Sequence, residues 1–168
     1  LMATRIKICG ITRIEDGLAA ARAGADAIGL VFWPGTLRVV QHAQARAIVE
    51  AMPPFVSIVG LFVDPTAEDV RAALDAVPLD VLQFHGHEPP ELCRAFGRPY
   101  LKAIAVDSTA DLLECASPYD DAAGLLFDAP PLQGVPGGTG RTFDWSRLPA
   151  TLPRPLVLSG GLNAATVA

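Results

Sequence analysis

Two residues suited to proton transfer stand at the ends of predicted strands, far apart in the chain. Cys9 lies in "KICGIT", and Asp128 follows the apolar run "GLLF". A thiolate and a carboxylic acid form a base and acid pair. A nearby cation stabilises a thiolate, and Lys7 is one strand pleat away from Cys9. The alternatives are a cysteine that packs as a small apolar residue and an aspartate that caps a turn.

Two glycine clusters suggest where a phosphate group would bind. "PGGTG" at 136–140, with Gly138 at its centre, follows the sixth predicted strand. "SGG", which contains Gly160 and Gly161, ends the seventh and precedes a predicted helix. Backbone N–H groups at a helix start bind phosphate, and barrels favour their late loops for this purpose. The alternative is that both clusters are simply turns.

Arg38 and His85 are the other candidates for the site. Arg38, in "WPGTLRVV", is suited to bind a carboxylate through two hydrogen bonds, although it also fits an ordinary surface arginine. His85 and His87, in "FHGHE", have a spacing that a metal pair can use, but no carboxylate-rich partner set appears elsewhere. We therefore expect no metal, His85 and Lys7 as pocket-lining residues, and His87 in a loop.

The composition is that of one globular domain, 1–168. Hydrophobic residues make up 51% and charged residues 18% of the chain, and the net charge is -5. With no basic run, we expect neither nucleic acid nor a membrane surface as a partner. Three widely spaced cysteines make no disulfide framework, which favours a cytoplasmic location; Cys93 and Cys115 fall in predicted helices and indicate packing.

Short apolar runs alternate with alanine-rich helical segments along the chain. Runs such as "SIVGLFV" are typical of parallel strands that are covered on both faces. We predict a weaker helix after Asp144 and another that begins near Asn163. The other predicted elements are strands near 5–10, 27–32, 57–63, 81–86, 100–106, 124–129 and 155–159, and helices near 15–23, 41–51, 66–76, 88–96 and 108–115.

Capping residues support three of the predicted helix ends. Thr12 and Glu15 have the spacing of a capping box, and Gly24 stands where a C-terminal glycine cap is expected. "DPTAED" at 64–69 offers a cap, a proline in the first turn and early acids. Both helices are thus predicted from local residues alone.

Strand alternation predicts which side chains face inward. In the first strand Arg5, Lys7 and Cys9 share the interior face, while the isoleucines between them face the helices. In the sixth, Leu126 and Asp128 share the interior face. Cys9 and Asp128 are therefore expected to point into one pocket.

Repeated βα units allow either an open doubly wound sheet or an α/β (β/α)8 TIM barrel. "CGITRI" lacks the G-x-G-x-x-G of a dinucleotide-binding sheet, and the strand spacing favours the barrel. Eight such units need roughly 200 residues, and only about seven are found here. We therefore predict a single barrel domain without its C-terminal unit.

The motifs "KICGIT", "QFHG", "LLFDA", "GGTGRTFDW" and "LSGGLN" occur in this order. Together they resemble the phosphoribosylanthranilate isomerase family, from about residue 5 to the last residue. The resemblance implies an aldose–ketose isomerase of tryptophan biosynthesis. It converts N-(5-phosphoribosyl)anthranilate to 1-(2-carboxyphenylamino)-1-deoxyribulose 5-phosphate by an Amadori rearrangement. No cofactor is implied; the expected partner is the phosphorylated small molecule, and the chain is expected to be a monomer or homodimer.

The resemblance also implies a role for each site residue. Cys9 would be the general base and Asp128 the general acid, while Arg38 would meet the anthranilate carboxylate. The glycines implied on the phosphate side are Gly138, Gly160 and Gly161. Two departures stand out: Thr36-Leu37 replaces the usual Ser-Pro, and the family's eighth strand has no counterpart here.

Two other functional hypotheses remain at this point. One is a sugar-phosphate isomerase of histidine biosynthesis, a barrel that carries aspartate where Cys9 stands. The other is a non-catalytic fragment that binds a phosphorylated ligand or a partner chain.

Overall fold

Seven parallel strands form one sheet in chain order, which is the order of a barrel and not of a doubly wound sheet. The computed structural model describes residues 4–107, 111–130 and 140–167. The strands are β1 (Lys7–Cys9), β2 (Ala27–Val31), β3 (Ser57–Phe62), β4 (Val81–Phe84), β5 (Tyr100–Ala105), β6 (Gly124–Asp128) and β7 (Leu156–Leu158).

The sheet is curled, because side chains meet across strands that are not neighbours. Lys7 on β1 binds Gln83 on β4, and His85, just after β4, contacts Asp128 at the end of β6. A flat sheet would hold β4 two or three strand spacings away from these partners. The prediction of an α/β barrel with seven units is confirmed.

Helices cover the outer face of the sheet. They are α1 (Ile14–Arg22), α2 (His42–Glu50), α3 (Ala67–Ala76), α4 (Pro90–Arg94) and α5 (Leu112–Ala116). The predicted helix after Asp144 is only a 3₁₀ turn, Trp145–Arg147. The helix predicted near Asn163 is wrong: the Asn163 side chain accepts a hydrogen bond from the Ala165 N–H and closes a single turn.

The two ends of α1 differ in how well they were predicted. The capping box of Thr12 and Glu15 is wrong, because α1 starts after Arg13, which makes no side-chain cap. At the other end Gly24 has φ +92, and Ala25 N–H donates to Ala20 O. This pattern is a Schellman motif, so the glycine cap is confirmed.

The start of α3 is a complete capping box. The Thr66 hydroxyl accepts from Asp69 N–H, and the Asp69 carboxylate accepts from Thr66 N–H. The Thr66 hydrogen bonds lower the pKa of the Asp69 carboxyl. Pro65 stands one residue before the cap and not in the first turn, so that part of the prediction is wrong.

A row of aromatic rings fills the layer between sheet and helices. Phe32 stacks on Phe62 with ring centroids 5.3 Å apart, and Phe62 lies 6.2 Å from Phe84. Phe84 also contacts Phe96 and Tyr100. Each such pair contributes about 0.5–1.5 kcal/mol beyond area burial. The row fixes the outward face of β4, and the residues on either side of Phe84 must therefore point inward.

The β1 edge departs from the predicted alternation. Lys7 faces the interior, but Arg5 precedes the strand and its exposed side chain pairs with Asp26 at 2.9 Å. Ile6 and Ile8 are half exposed instead of being covered by helices, since β1 pairs only with β2 among the described residues. Over the described ranges, no helix has the length and apolar character needed to cross a membrane.

The Thr66 cap provides a test of the fold. We expect Thr66→Ala to lower the free energy of unfolding by about 1 kcal/mol, because the Asp69 N–H loses its partner. Thr66→Ala also removes the hydroxyl that donates to the Asp69 carboxylate at 2.8 Å. That part of the stability is present above about pH 4, where unfolded aspartate is ionised, and is lost as the pH falls through the lowered pKa of Asp69. Urea denaturation at pH 7 and pH 3 measures both effects. Thr12→Ala is the matched control, and an equal loss in that variant contradicts the cap assignment.

Candidate active site

The concave face of the sheet lines a cavity of about 1490 Å³. Cys9 and Asp128, which end β1 and β6, both line it, so their predicted convergence on one pocket is confirmed. Lys7, Arg38, Gln83 and His85 are among the other polar residues that line it. Around these six residues the cavity brings together a thiol, a carboxylate, two cations, an amide and an imidazole.

Cys9 owes its place at the rim to two glycines. Gly10 follows it with φ +83, and its N–H donates to Gly29 O at 2.9 Å. A Cβ at Gly29 would lie 2.9 Å from the Cys9 sulfur, closer than any real Cβ contact. Glycine at 29 thus leaves room for the thiol, which is partly exposed to the cavity.

Asp128 is almost fully buried, at 5% exposure, and each of its oxygens has a defined neighbour. Oδ1 accepts a hydrogen bond from Ala129 N–H at 2.8 Å, and Oδ2 lies 3.2 Å from His85 Nε2. A Cβ at Gly160 would lie 2.7 Å from Oδ1. Gly160 therefore allows the last loop to pass close to the carboxylate.

Gln83 is a site residue that the sequence reasoning missed. It is 1% exposed, its Oε1 accepts from Lys7 Nζ at 2.8 Å, and its Nε2 lies 2.9 Å from His85 Nδ1. The sequence does contain an indication of this role, because Gln83 is a single amide inside the apolar strand "VLQF". A buried amide must find hydrogen-bond partners within the fold. His85 faces the cavity as predicted. The Lys7 ammonium was expected to act on Cys9, but its hydrogen-bond partner is Gln83 on the opposite wall.

Arg38 lies over the end of β1. A Cβ at Gly10 would lie 2.6 Å from Arg38 Cδ, and Arg38 Nη1 is 3.5 Å from Cys9 O. The Thr36 hydroxyl accepts from Arg38 N–H at 3.3 Å and holds this turn. The guanidinium is exposed and lines the mouth of the cavity beside Cys9.

Of the three predicted phosphate-side glycines, two can be placed. Gly160 and Gly161 line the cavity in left-handed conformations, with φ +85 and +65. A side chain at Gly161 would meet Thr142 N at 2.8 Å. Close packing explains why glycine stands at both positions. Gly138 lies outside the described residues.

A buried ion pair holds the loop that follows His85. Lys102 Nζ lies 2.7 Å from Glu88 Oε2 and donates to Gly86 O, and both charged residues are 2% exposed. Glu88 also accepts from the backbone N–H groups of Asp64 and Gly86. Lys102 lies inside a predicted strand, but its partner Glu88, in the β4–α4 loop, was not predicted.

The histidine and cysteine predictions have mixed outcomes. His87 is exposed in the loop, 3.4 Å from Asp64 Oδ2, and it does not converge with His85. Cys93 is fully buried, as predicted, and burial raises the pKa of its thiol to about 12. Cys115 is exposed, so its predicted packing role is wrong: it lies on the outer face of the short helix α5.

Comparison with known proteins relates the chain to one family. Residues 6–168 match the family model described as N-(5'phosphoribosyl)anthranilate (PRA) isomerase. The N-(5'-phosphoribosyl)anthranilate isomerase of Pseudomonas syringae pv. tomato is 54% identical over 168 residues, which are 100% of this chain and 81% of that protein.

Solved structures agree with this relation. Phosphoribosyl anthranilate isomerase from Thermus thermophilus superposes with a TM-score of 0.84 at 37% identity, covering 98% of this chain and 80% of its own. A phosphoribosyl anthranilate isomerase in complex with reduced 1-(o-carboxyphenylamino)-1-deoxyribulose 5-phosphate has a TM-score of 0.80 at 38% identity, over 98% and 79% of the two chains.

The buried pair beneath the site gives a stability test. We expect Lys102→Met to lower the free energy of unfolding by about 3–5 kcal/mol, because it leaves the Glu88 carboxylate buried without its cation. The double variant Lys102→Met/Glu88→Gln should recover part of this loss. Denaturant titration of the two single variants and the double variant measures the coupling. Arg13→Met, which breaks an exposed pair with Asp16, is the control and should change stability far less. Additive effects of the two buried substitutions would contradict the pairing.

Proposed function

The chain belongs to the N-(5'-phosphoribosyl)anthranilate isomerase family, and from that premise we propose how its residues carry the reaction. It is an isomerase of tryptophan biosynthesis that converts N-(5'-phosphoribosyl)anthranilate to 1-(2-carboxyphenylamino)-1-deoxyribulose 5-phosphate in an Amadori rearrangement. The observation that carries the proposed mechanism is that Cys9 and Asp128 line one cavity, each at the carboxyl end of a strand.

Asp128 acts as the general acid in ring opening. Its proton passes to the furanose ring oxygen as the bond from that oxygen to C1 breaks. The anilino nitrogen supplies the electron pair that forms the C=N bond of a Schiff base. Burial of Asp128 among fixed neighbours supports this role, because a positioned donor is what general acid catalysis needs.

Cys9 acts as the general base in the second step. Its thiolate removes the proton from C2, and the released electron pair forms the C1–C2 double bond of an enolamine while the C=N bond returns to a single bond. Tautomerisation of the enolamine yields the ketone. Both steps are proton transfers between the substrate and this chain's own side chains, and neither step is assigned a cofactor.

Arg38 and the late glycines orient the substrate in this proposal. The Arg38 guanidinium beside Cys9 is suited to the anthranilate carboxylate, since its planar fork matches two oxygens. Gly160 and Gly161, with Gly138, bind the phosphate through the backbone N–H groups of their turns. A cytoplasmic location is also part of the proposal, because a catalytic thiolate requires a reduced cysteine. A monomeric or homodimeric state stays a prediction.

Removal of the base tests the central assignment. Cys9→Ala should lower kcat/KM by at least about 10²–10⁴-fold and leave the circular dichroism spectrum unchanged, since the thiol is lost without loss of packing in the helix layer. Turnover is followed as loss of N-(5'-phosphoribosyl)anthranilate. Cys115→Ala makes the same chemical change at an exposed position outside the cavity and should retain full activity. Full activity of the Cys9 variant would overturn the assignment.

The contact proposed between Arg38 and the anthranilate carboxylate gives a second test. Arg38→Met should raise KM about 10–100-fold with a smaller effect on kcat, because it removes a charge-assisted contact made equally in ground and transition states. Steady-state kinetics separate the two parameters. Arg46→Met is the control, since Arg46 pairs with Glu50 on the exposed face of α2. Unchanged KM in the Arg38 variant contradicts the proposed contact.

A further inference from the structure

We propose that His85 is a positioning residue whose single neutral tautomer, set by Gln83 and Lys7, directs the Asp128 proton to the substrate. The inference rests on the general acid role of Asp128 proposed above. It assigns a purpose to the buried amide and to a lysine that the reaction itself does not use. Four side chains take part, from β1, from β4 and the residue after it, and from β6.

The orientation of the Gln83 amide follows from Lys7. An ammonium group has three donors and no acceptor, so the atom 2.8 Å from Lys7 Nζ must be the amide oxygen. The amide nitrogen of Gln83 then necessarily faces His85, where it lies 2.9 Å from Nδ1. Lys7 thus distinguishes the two ends of an amide that are otherwise nearly the same in shape.

The tautomer of His85 follows from the amide. A primary amide nitrogen only donates, so Nδ1 must carry a lone pair and no hydrogen. The hydrogen of the neutral ring is then on Nε2, the ring nitrogen that lies 3.2 Å from Asp128 Oδ2.

In this tautomer His85 cannot accept the Asp128 proton. A bare imidazole nitrogen is ordinarily a stronger base than a carboxylate and would accept the proton. Because Nε2 already carries a hydrogen, His85 can orient the carboxyl group but cannot take its proton. The other carboxylate oxygen, Oδ1, accepts from Ala129 N–H and has Gly160 packed beside it. The remaining acceptor is a molecule in the cavity.

Burial preserves the arrangement. Gln83 is 1% exposed, and the side chains of His85 and Asp128 are 10% and 7% exposed. Water therefore competes poorly for these hydrogen bonds, and breaking one would leave a buried polar group unpaired at a cost of about 1–3 kcal/mol. In both hydrogen bonds of the series, Lys7 to Gln83 and Gln83 to His85, the donor is therefore the residue nearer to Lys7.

The first measurement is the tautomer in the substrate-free protein. In protein with ¹⁵N-labelled histidine, His85 should show a pyridine-type Nδ1 and a pyrrole-type Nε2, assigned by loss of the signals in His85→Gln. The opposite tautomer, or an imidazolium at pH 7, overturns the proposal. Gln83→Glu should reverse the pattern, because a carboxylate can only accept from Nδ1.

The second measurement compares two substitutions of His85. His85→Gln keeps an N–H at a similar reach but has no basic nitrogen, so kcat should stay within about 10-fold of the wild type. His85→Leu removes the donor and should lower kcat about 100-fold or more, with little change in KM. If both variants lose activity equally, or if His85→Leu remains within 10-fold of wild type, the positioning role is wrong. His87→Leu, in the exposed loop, is the control.

These outcomes separate the inference from the proposed function. If Asp128→Asn retains full turnover, the general acid assignment fails whatever the tautomer of His85 is. If Asp128→Asn is inactive but His85→Leu is fully active, the proposed function stands and only the positioning role is lost. The tautomer measurement does not depend on turnover and remains decisive if a variant fails to fold.

Discussion

The hydrogen bonds of one buried amide, Gln83, connect the two walls of the cavity. Lys7 reaches it from β1 and His85 extends it toward β6, so three strands that are not neighbours are joined through side chains. A buried amide without partners is costly, and its oxygen can be satisfied by Lys7 only when the sheet is curled. The interaction therefore accompanies the curvature that brings Cys9 and Asp128 to one pocket.

The strand that carries this amide is held from both sides. Phe84 points outward into the aromatic row, while its neighbours Gln83 and His85 point into the cavity. Beyond the strand, the Lys102–Glu88 pair holds the loop through Gly86. A rigid outer layer and a satisfied buried ion pair thus support polar groups that would otherwise be free to change rotamer.

Glycines provide the space in which the proposed catalytic groups lie. Gly29 leaves room for the thiol of Cys9, and Gly160 passes beside Asp128 Oδ1. At Gly10 and Gly161, the contacts are with Arg38 and with the loop at Thr142. The glycines of the motifs thus leave room for particular side chains, in addition to the phosphate binding proposed for Gly160 and Gly161.

The sequence by itself determined the features that depend on local periodicity: seven strand segments, a glycine cap at Gly24, and Cys9, His85 and Asp128 at strand ends facing one side. The predictions that were wrong concern Thr12, Arg5 and Cys115. At these positions the role of the side chain depends on which neighbouring residues it meets in the fold. Only the tertiary structure decided that Lys7 binds Gln83 and that Lys102 binds Glu88. The physical reason is that pleat alternation is set by the chain's own geometry, whereas a hydrogen-bond partner is set by how far the sheet curls.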